Sequence, residues 1–185
     1  RGDESAMMLD HLLARPPRGM RRFCLMGNHE ELMLRFLADP ASALSWLDFG
    51  GFETLASYGI GRDIEELRAL SARRLSQAVA AVVPESHKTF LARLPLALGH
   101  GPYVFAHAGL DGSHPMDAQP RDALLWGRCA APPPAGVTLV RGHFIHPQPL
   151  IEAQVIGIDT GAYATGRLTT VCLSPGLAPS FLTVE

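Results

Sequence analysis

The hydrophobic residues follow two different patterns along the chain. In residues 1–94 they mostly recur every three or four positions, whereas after residue 100 they form short runs rich in β-branched or apolar side chains. The first pattern predicts amphipathic helices and the second predicts buried strands. Gly and Pro residues mark where these elements end. Beyond a first helix near the amino terminus, the predicted helices cover residues 30–37, 41–48, 51–58, 64–82 and 85–94. The predicted strands cover residues 22–26, 103–106, 137–140, 155–158, 168–173 and 181–184.

This order of elements predicts a mixed α/β layered domain. A chain of 185 residues with 47% hydrophobic composition can bury one sizeable core, so residues 1–185 are expected to form a single domain with a helical segment at about 41–94. The first helix is expected to be capped by Ser5 and stopped by Pro16. Strand 22–26 is expected to lead directly into a helix N-terminus.

Composition and charge exclude several classes of function. A formal net charge of −2 gives no basic surface for nucleic acid, and no apolar run is long enough to cross a membrane. The three cysteines, Cys24, Cys129 and Cys172, are odd in number and far apart, which argues against a disulfide framework and favours a cytoplasmic location. We therefore expect neither a nucleic-acid partner nor a membrane partner.

Polar residues follow several predicted strands at the point where each strand ends. Asn28 and His29 follow strand 22–26, His107 follows strand 103–106, and His143 follows strand 137–140 by way of Arg-Gly. Ligands of α/β proteins bind at the carboxyl ends of strands. Two imidazoles and an amide oxygen suit Mn, Fe or Zn, whereas a closed structural zinc site prefers Cys and His ligands.

Each of these residues also has an ordinary interpretation when it is taken alone. A single histidine at a strand end is most often a hydrogen-bonded or surface residue, and Asn28 is a typical turn residue. Asp159, which follows strand 155–158, can simply cap a turn. His146 competes with His143 because "GHFIHPQP" contains both, but only His143 directly follows a Gly.

The motifs taken together, in this order, indicate more than any one of them. Gly-Asn-His-Glu at 27–30, His-Ala-Gly at 107–109 and Gly-His at 142–143 resemble the phosphoprotein phosphatase family of calcineurin-like metallophosphoesterases, in particular its bacterial and phage branch. The agreement continues in "WLDFGGFETLASYG" (46–59), "DALLWGR" (122–128) and "IDTGAYATGRLTTVCL" (158–173). The resemblance implies an α/β calcineurin-like metallophosphoesterase fold, a layered α/β/β/α sandwich.

The resemblance also implies a set of functional residues. Asn28, His107 and His143 would hold one of two divalent ions, with Mn²⁺ expected first and Fe or Zn as alternatives. His29 would be the general acid, and Arg1 and Arg128 would bind the substrate phosphate. The opening "RGDES" looks like the tail of the family's Gly-Asp-x-x-Asp-Arg-Gly motif. The N-terminal portion that carries the ligands of the first metal is therefore expected to lie upstream of Arg1.

The activity implied is that of a metal-dependent phosphomonoester hydrolase. The first expectation is a serine/threonine protein phosphatase that uses a dinuclear metal-activated water on a phosphoprotein or small phosphoester. A symmetrical dinucleoside-tetraphosphate hydrolase of the same superfamily is an alternative, and a non-catalytic phosphopeptide-binding remnant is another. One departure from the family is Phe144, which stands where Thr commonly follows Gly-His.

Overall fold

The protein, described here by a computed structural model, forms two compact units. Residues 1–61, 63–128 and 131–185 are described, so Cys129 lies outside the described residues. The first unit comprises Arg1–Cys24 and Asn28–Leu94, and the second comprises Leu25–Gly27 and Pro95–Glu185. The expectation that residues 1–185 form a single domain stays a prediction. No helix within the described ranges is long and apolar enough to cross a bilayer.

The first unit is helical, as the spacing of its apolar residues predicts. Its 3₁₀ helix covers Pro40–Phe49, the segment predicted as helix 41–48. The predicted helix 64–82 is two helices, because Leu70 and Ser71 adopt extended backbone and the Ser71 hydroxyl accepts a hydrogen bond from Arg74 N at the start of the second. The α-helices of this unit are α1 (Ser5–Leu13), α2 (Asn28–Ala38), α3 (Gly51–Ser57), α4 (Ile64–Ala69), α5 (Ala72–Val82) and α6 (Glu85–Ala92).

Two local predictions for the first 30 residues are wrong. Ser5 does not cap α1; its hydroxyl donates to the Gly2 carbonyl at 2.7 Å, and Glu4 occupies the N-cap position. Residues 21–27 form no strand, and α2 begins already at Asn28. A strand requires a ladder of backbone bonds to a neighbour. Within the described part of the chain, the amide of Met26 donates to Pro95 O at 2.9 Å, and one such bond does not make a ladder.

The core of the first unit is built from the apolar faces of these helices. Phe36 of α2 and Trp46 of the 3₁₀ helix are at most 2% exposed, and their ring centroids lie 5.1 Å apart. Leu75 and Val79 of α5 and Leu91 of α6 are equally buried in the same cluster. Burial of each such side chain contributes about 1.5–3 kcal/mol, so packing rather than helix propensity holds these short helices.

A buried histidine joins three helices of the first unit. His87 of α6 is 1% exposed, and its Nε2 lies 2.9 Å from Asp10 Oδ1 of α1. Its Nδ1 lies 2.7 Å from the hydroxyl of Tyr58, the residue that ends α3. All three groups are satisfied when Nε2–H donates to the Asp10 carboxylate and the Tyr58 hydroxyl donates to Nδ1. Burial, and secondarily the charge of Asp10, raise the pKa of Tyr58 to about 12.

Replacing Tyr58 by Phe should therefore destabilise the protein and change how its stability depends on pH. At pH 7 the loss of the hydroxyl leaves His87 Nδ1 without its donor, which costs about 1–2 kcal/mol of unfolding free energy. Because the folded-state pKa of Tyr58 is raised from its ordinary value of 10.0 to about 12, its stabilisation is complete below pH 10 and disappears as the pH rises towards 12. That alkaline loss should amount to about 1 kcal/mol after allowance for solvent screening.

Urea unfolding of wild type and variant at pH 7, 9.5 and 11.5 measures both effects. Tyr103→Phe is the matched control, because no side-chain hydrogen bond of its hydroxyl is present within the described ranges. An alkaline loss of the same size in Tyr58→Phe and in wild type would contradict the assignment to Tyr58.

The second unit contains two sheets. In the five-stranded sheet the order is β1-β2-β3-β5-β4; β2, β3 and β5 run parallel, and the outer strands β1 and β4 pair antiparallel to their neighbours. β6 and β7 form a separate antiparallel pair. The strands are β1 (Ala97–His100), β2 (Tyr103–Ala106), β3 (Thr138–Arg141), β4 (Leu150–Glu152), β5 (Val155–Gly157), β6 (Leu168–Cys172) and β7 (Ser180–Val184). The helices of this unit are the 3₁₀ helix Met116–Ala118, α7 (Arg121–Trp126) and α8 (Ala162–Thr165).

The strand predictions of the second half are confirmed with shifts of one or two residues. Strand 103–106 is β2 without change, whereas strand 137–140 is displaced by one residue as β3. β1, β4, α7 and α8 were not predicted. The mixed α/β class is confirmed; the α/β/β/α sandwich stays a prediction.

Candidate functional site

The carboxyl ends of the three parallel strands lie side by side. Ala106 of β2 pairs with Arg141 of β3, which in turn pairs with Gly157 of β5. The alignment continues past the strands, since the Gly142 amide donates to His107 O at 3.0 Å. The residues after these strands therefore share one edge of the sheet, as expected from the sequence for strands 103–106, 137–140 and 155–158.

Two histidines meet at this edge. His107 Nε2 lies 3.2 Å from His143 Nδ1, and the two rings are arranged edge to face with centroids 5.0 Å apart. His143 reaches this position with a φ of 63°, a left-handed conformation that costs a non-glycine residue about 1–3 kcal/mol. The structure therefore holds His143 in an unfavourable backbone conformation that aims its ring at His107.

The donor pair fits a divalent ion in chemistry and in spacing. Two nitrogens held roughly 2.0–2.1 Å from one ion lie about 3.2 Å apart when the angle at the ion is roughly 100°. Burial, followed by the nearby His143, lowers the pKa of His107 to about 4, against a smaller opposing effect of Asp159. His107 is therefore neutral at pH 7, which is the state that a metal ligand requires.

The pair opens into a cleft of the second unit with a volume of about 210 Å³. Asp159 and Arg167 line this cleft together with His107 and His143. Asp159 Oδ1 accepts from the Gly161 amide at 2.9 Å, so Asp159 does cap a turn as the simpler interpretation had it. Among the described residues no three His, Cys, Asp or Glu side chains are clustered as a complete metal site. The role of the two histidines as metal ligands therefore stays a prediction.

Two aromatic rings pack against His143. The ring of Trp126 meets His143 edge to face at 6.2 Å between centroids, and the guanidinium carbon of Arg128 lies 5.1 Å from the Trp126 ring centroid. The ring of Phe144 meets His143 edge to face at 4.9 Å. A side chain at Gly127 would come within 2.7 Å of Phe144, so this glycine allows the close approach. Phe144 therefore packs against both His143 and Gly127.

The other predicted site residues lie in the first unit. Asn28 is the first residue of α2, is 5% exposed and is followed directly by His29. Arg1 packs its aliphatic stem against Gly50, where a Cβ would come within 2.6 Å of Arg1 Cγ. The structure brings Asn28 and His29 together, and separately brings His107, His143 and Arg128 into one neighbourhood. That Asn28, His107 and His143 bind one metal ion stays a prediction.

Two arginines near the strand ends were missed at the sequence level. Arg141 is the last residue of β3, and Arg167 precedes β6 and lines the cleft of the histidine pair. The sequence offered only one signal for Arg141, namely its position two residues before His143. Arg167 NH1 donates to Pro147 O at 3.0 Å, and its Nε lies 3.1 Å from Glu185 Oε1.

Comparison with known proteins bears on the fold. No protein-family model matches the chain, and no curated protein matches its sequence. The fold is similar to the crystal structure of a protein provisionally named diadenosine tetraphosphatase, with a TM-score of 0.57 and 18% sequence identity over 96% of this chain and 72% of that chain. At this identity the likeness shows a shared fold and does not by itself assign an activity. Membership of the phosphoprotein phosphatase branch stays a prediction.

Proposed function

We propose that the chain carries the activity of a metal-dependent phosphoester hydrolase. The observation that supports it best is the pair His107–His143, whose nitrogens lie 3.2 Å apart at the ends of adjacent parallel strands. Asp159 follows the third parallel strand and lines the same cleft. Nitrogen and oxygen donors at the carboxyl edge of a parallel sheet are the setting in which α/β proteins bind ions and phosphates.

In this proposal His107 and His143 hold a divalent ion together with Asn28, and Mn²⁺ is the first candidate because the donors are mixed nitrogen and oxygen. When bound, such ions supply Lewis-acid activation of water and neutralise charge on the phosphoryl group. Arg128 binds the non-bridging phosphate oxygens, an assignment supported by its stacking on Trp126, which itself contacts His143. Arg1 has the same proposed role. His29 donates a proton to the leaving oxygen.

Two substrate classes remain candidates. The sequence resemblance favours phosphoserine or phosphothreonine in a protein, or a small phosphomonoester. The structural likeness to a protein provisionally named diadenosine tetraphosphatase favours a symmetrical dinucleoside tetraphosphate. The reactions differ in their products, because a phosphomonoesterase releases inorganic phosphate whereas symmetrical cleavage of a dinucleoside tetraphosphate releases two nucleoside diphosphates.

Removal and restoration of metal test the proposed activity and separate these substrates. The full-length protein is treated with EDTA, freed of chelator, and assayed with and without Mn²⁺ on p-nitrophenyl phosphate, a phosphoseryl peptide and diadenosine tetraphosphate. We expect turnover only with the metal, and the product of the best substrate identifies the class. Full activity in protein proven free of metal contradicts the mechanism. Binding of the phosphopeptide without any phosphate release supports a non-catalytic remnant instead.

A further inference from the structure

A second cleft of the second unit has no role in the proposed hydrolysis. Its volume is about 250 Å³, and among the residues that line it are Arg141, Phe144, Leu110 and Leu139. Every described residue of this lining other than Arg141 is apolar or glycine. Leu110 and Leu139 are at most 4% exposed, so the floor of the cleft is part of the protein core. We call it the Arg141 cleft.

The guanidinium of Arg141 is only partly used by the protein. Its NH1 donates to Ala108 O at a long 3.3 Å, and its Cζ lies 4.4 Å from the centroid of the Phe144 ring. Arginine carries five N–H donors, and in the described ranges no carboxylate lies at ion-pair distance from Arg141. The cation is half-buried, between an aromatic ring and an apolar wall.

The charge of Glu152 stabilises the Arg141 cation only from beyond ion-pair distance. A half-buried cation with no carboxylate in contact is costly to keep, since burial removes water that nothing fully replaces. The aromatic face offsets part of that cost and fixes the plane of the guanidinium. A fixed guanidinium with unused N–H groups matches one planar carboxylate through two parallel hydrogen bonds. One cation balances one negative charge, so a carboxylate suits the cleft better than a phosphate dianion.

We propose that the Arg141 cleft binds a small organic carboxylate, with the carboxylate on Arg141 and a compact apolar body against Leu110 and Leu139. This proposal is independent of the proposed hydrolysis. The occupied cleft would still adjoin the candidate centre, because Phe144 lines the cleft and its ring contacts His143 at 4.9 Å.

Benzoate, compared with its neutral counterpart benzamide, is the probe. Both are titrated into ¹⁵N-labelled full-length protein that has been stripped of metal with EDTA and then freed of the chelator, so that neither a metal centre nor a competing carboxylate contributes to binding. We expect saturable benzoate shifts centred on residues 108–110 and 139–144, and binding of benzamide at least 10-fold weaker. Arg141→Gln should weaken benzoate binding at least 10-fold, whereas Arg18→Gln, which removes the same charge from an exposed position, should leave it unchanged.

Phe144→Leu keeps the charge and removes the ring beneath it, so benzoate binding should weaken by a smaller factor than in Arg141→Gln. If Arg141→Gln fails to fold, Phe144→Leu and the benzoate–benzamide comparison on the wild-type protein still test the proposal. The proposal is overturned if benzoate does not saturate, if benzamide or Arg141→Gln matches wild-type benzoate binding, or if the shifts centre on residues 158–169, the cleft of the histidine pair. Stronger binding of inorganic phosphate at residues 108–110 would overturn the choice of a carboxylate.

Discussion

Replacing His143 by Ala should remove a divalent ion and the phosphoester hydrolysis together. One of two facing nitrogen donors is lost, and we expect the remaining proposed ligands, His107 and Asn28, to hold the ion too weakly to retain it. If the ion contributes about 4 kcal/mol to the transition state, turnover should fall about 10³-fold. Metal content per chain and the rate with p-nitrophenyl phosphate, both measured on the full-length protein, check this. His107→Ala should have the same effect, and the double variant should lose little more, because the pair acts as one unit.

His146→Ala is the matched control, since His146 lies three residues further along the same turn. Its backbone amide donates to Asp159 O at 2.9 Å, which an alanine retains, and its ring does not line the cleft of the histidine pair. We expect this variant to keep its metal and at least half of its rate. Loss of metal in His146→Ala together with retention in His143→Ala would mean that the wrong histidine of "GHFIHPQP" has been assigned.

Replacing His29 by Asn should also reduce turnover, but the protein should retain its metal. A general acid that protonates a poor leaving group contributes about 10²–10⁴-fold to the rate. That loss should appear in full with a phosphoseryl peptide, whose alkoxide needs a proton. It should shrink strongly with p-nitrophenyl phosphate, whose leaving group is stable without one. Rates on the two substrates and the metal content of the same sample are the measurements.

His11→Asn controls for the removal of an imidazole, because His11 lies on the exposed side of α1 in the same unit. It should change neither rate. An equal loss on both substrates in His29→Asn would show that His29 acts in binding or folding rather than in proton transfer. Loss of the metal from His29→Asn would instead make it a ligand.

Residues 22–26 were predicted as a strand and form none, which shows what an apolar run can and cannot predict. The run correctly predicts burial at its end, since Met26 is 4% exposed. A strand also needs a neighbour that offers a ladder of backbone groups, and no local pattern reports whether one exists. β1 is the converse case, because Ala97–His100 contains Gly and His and has little intrinsic strand preference. It is a strand because its turn returns the chain onto Tyr103–Ala106.

The candidate site was predictable in its residues and not in its surroundings. His107 and His143 could be selected because each follows a predicted strand and has a glycine within two positions. The role of Phe144 could not be foreseen, because its contacts are with His143, Arg141 and Gly127, and the last is far away in sequence. Arg141 was passed over for the same reason. Its burial depends on Phe144 and on a cleft formed in part by residues 108–110.

The sequence by itself determined the helical first half, the strand-rich second half, and the chemistry available at each strand end. These properties depend on residues that are neighbours along the chain, and hydrophobic period and turn residues report them directly. Only the tertiary structure decided that β2, β3 and β5 lie side by side, that His107 and His143 face each other, and that Arg141 borders a separate cleft. Pairing of parallel strands joins residues 35 positions apart in β2–β3 and 16 apart in β3–β5. The free energy that selects one pairing comes from burial of whole faces, which no local stretch of sequence contains.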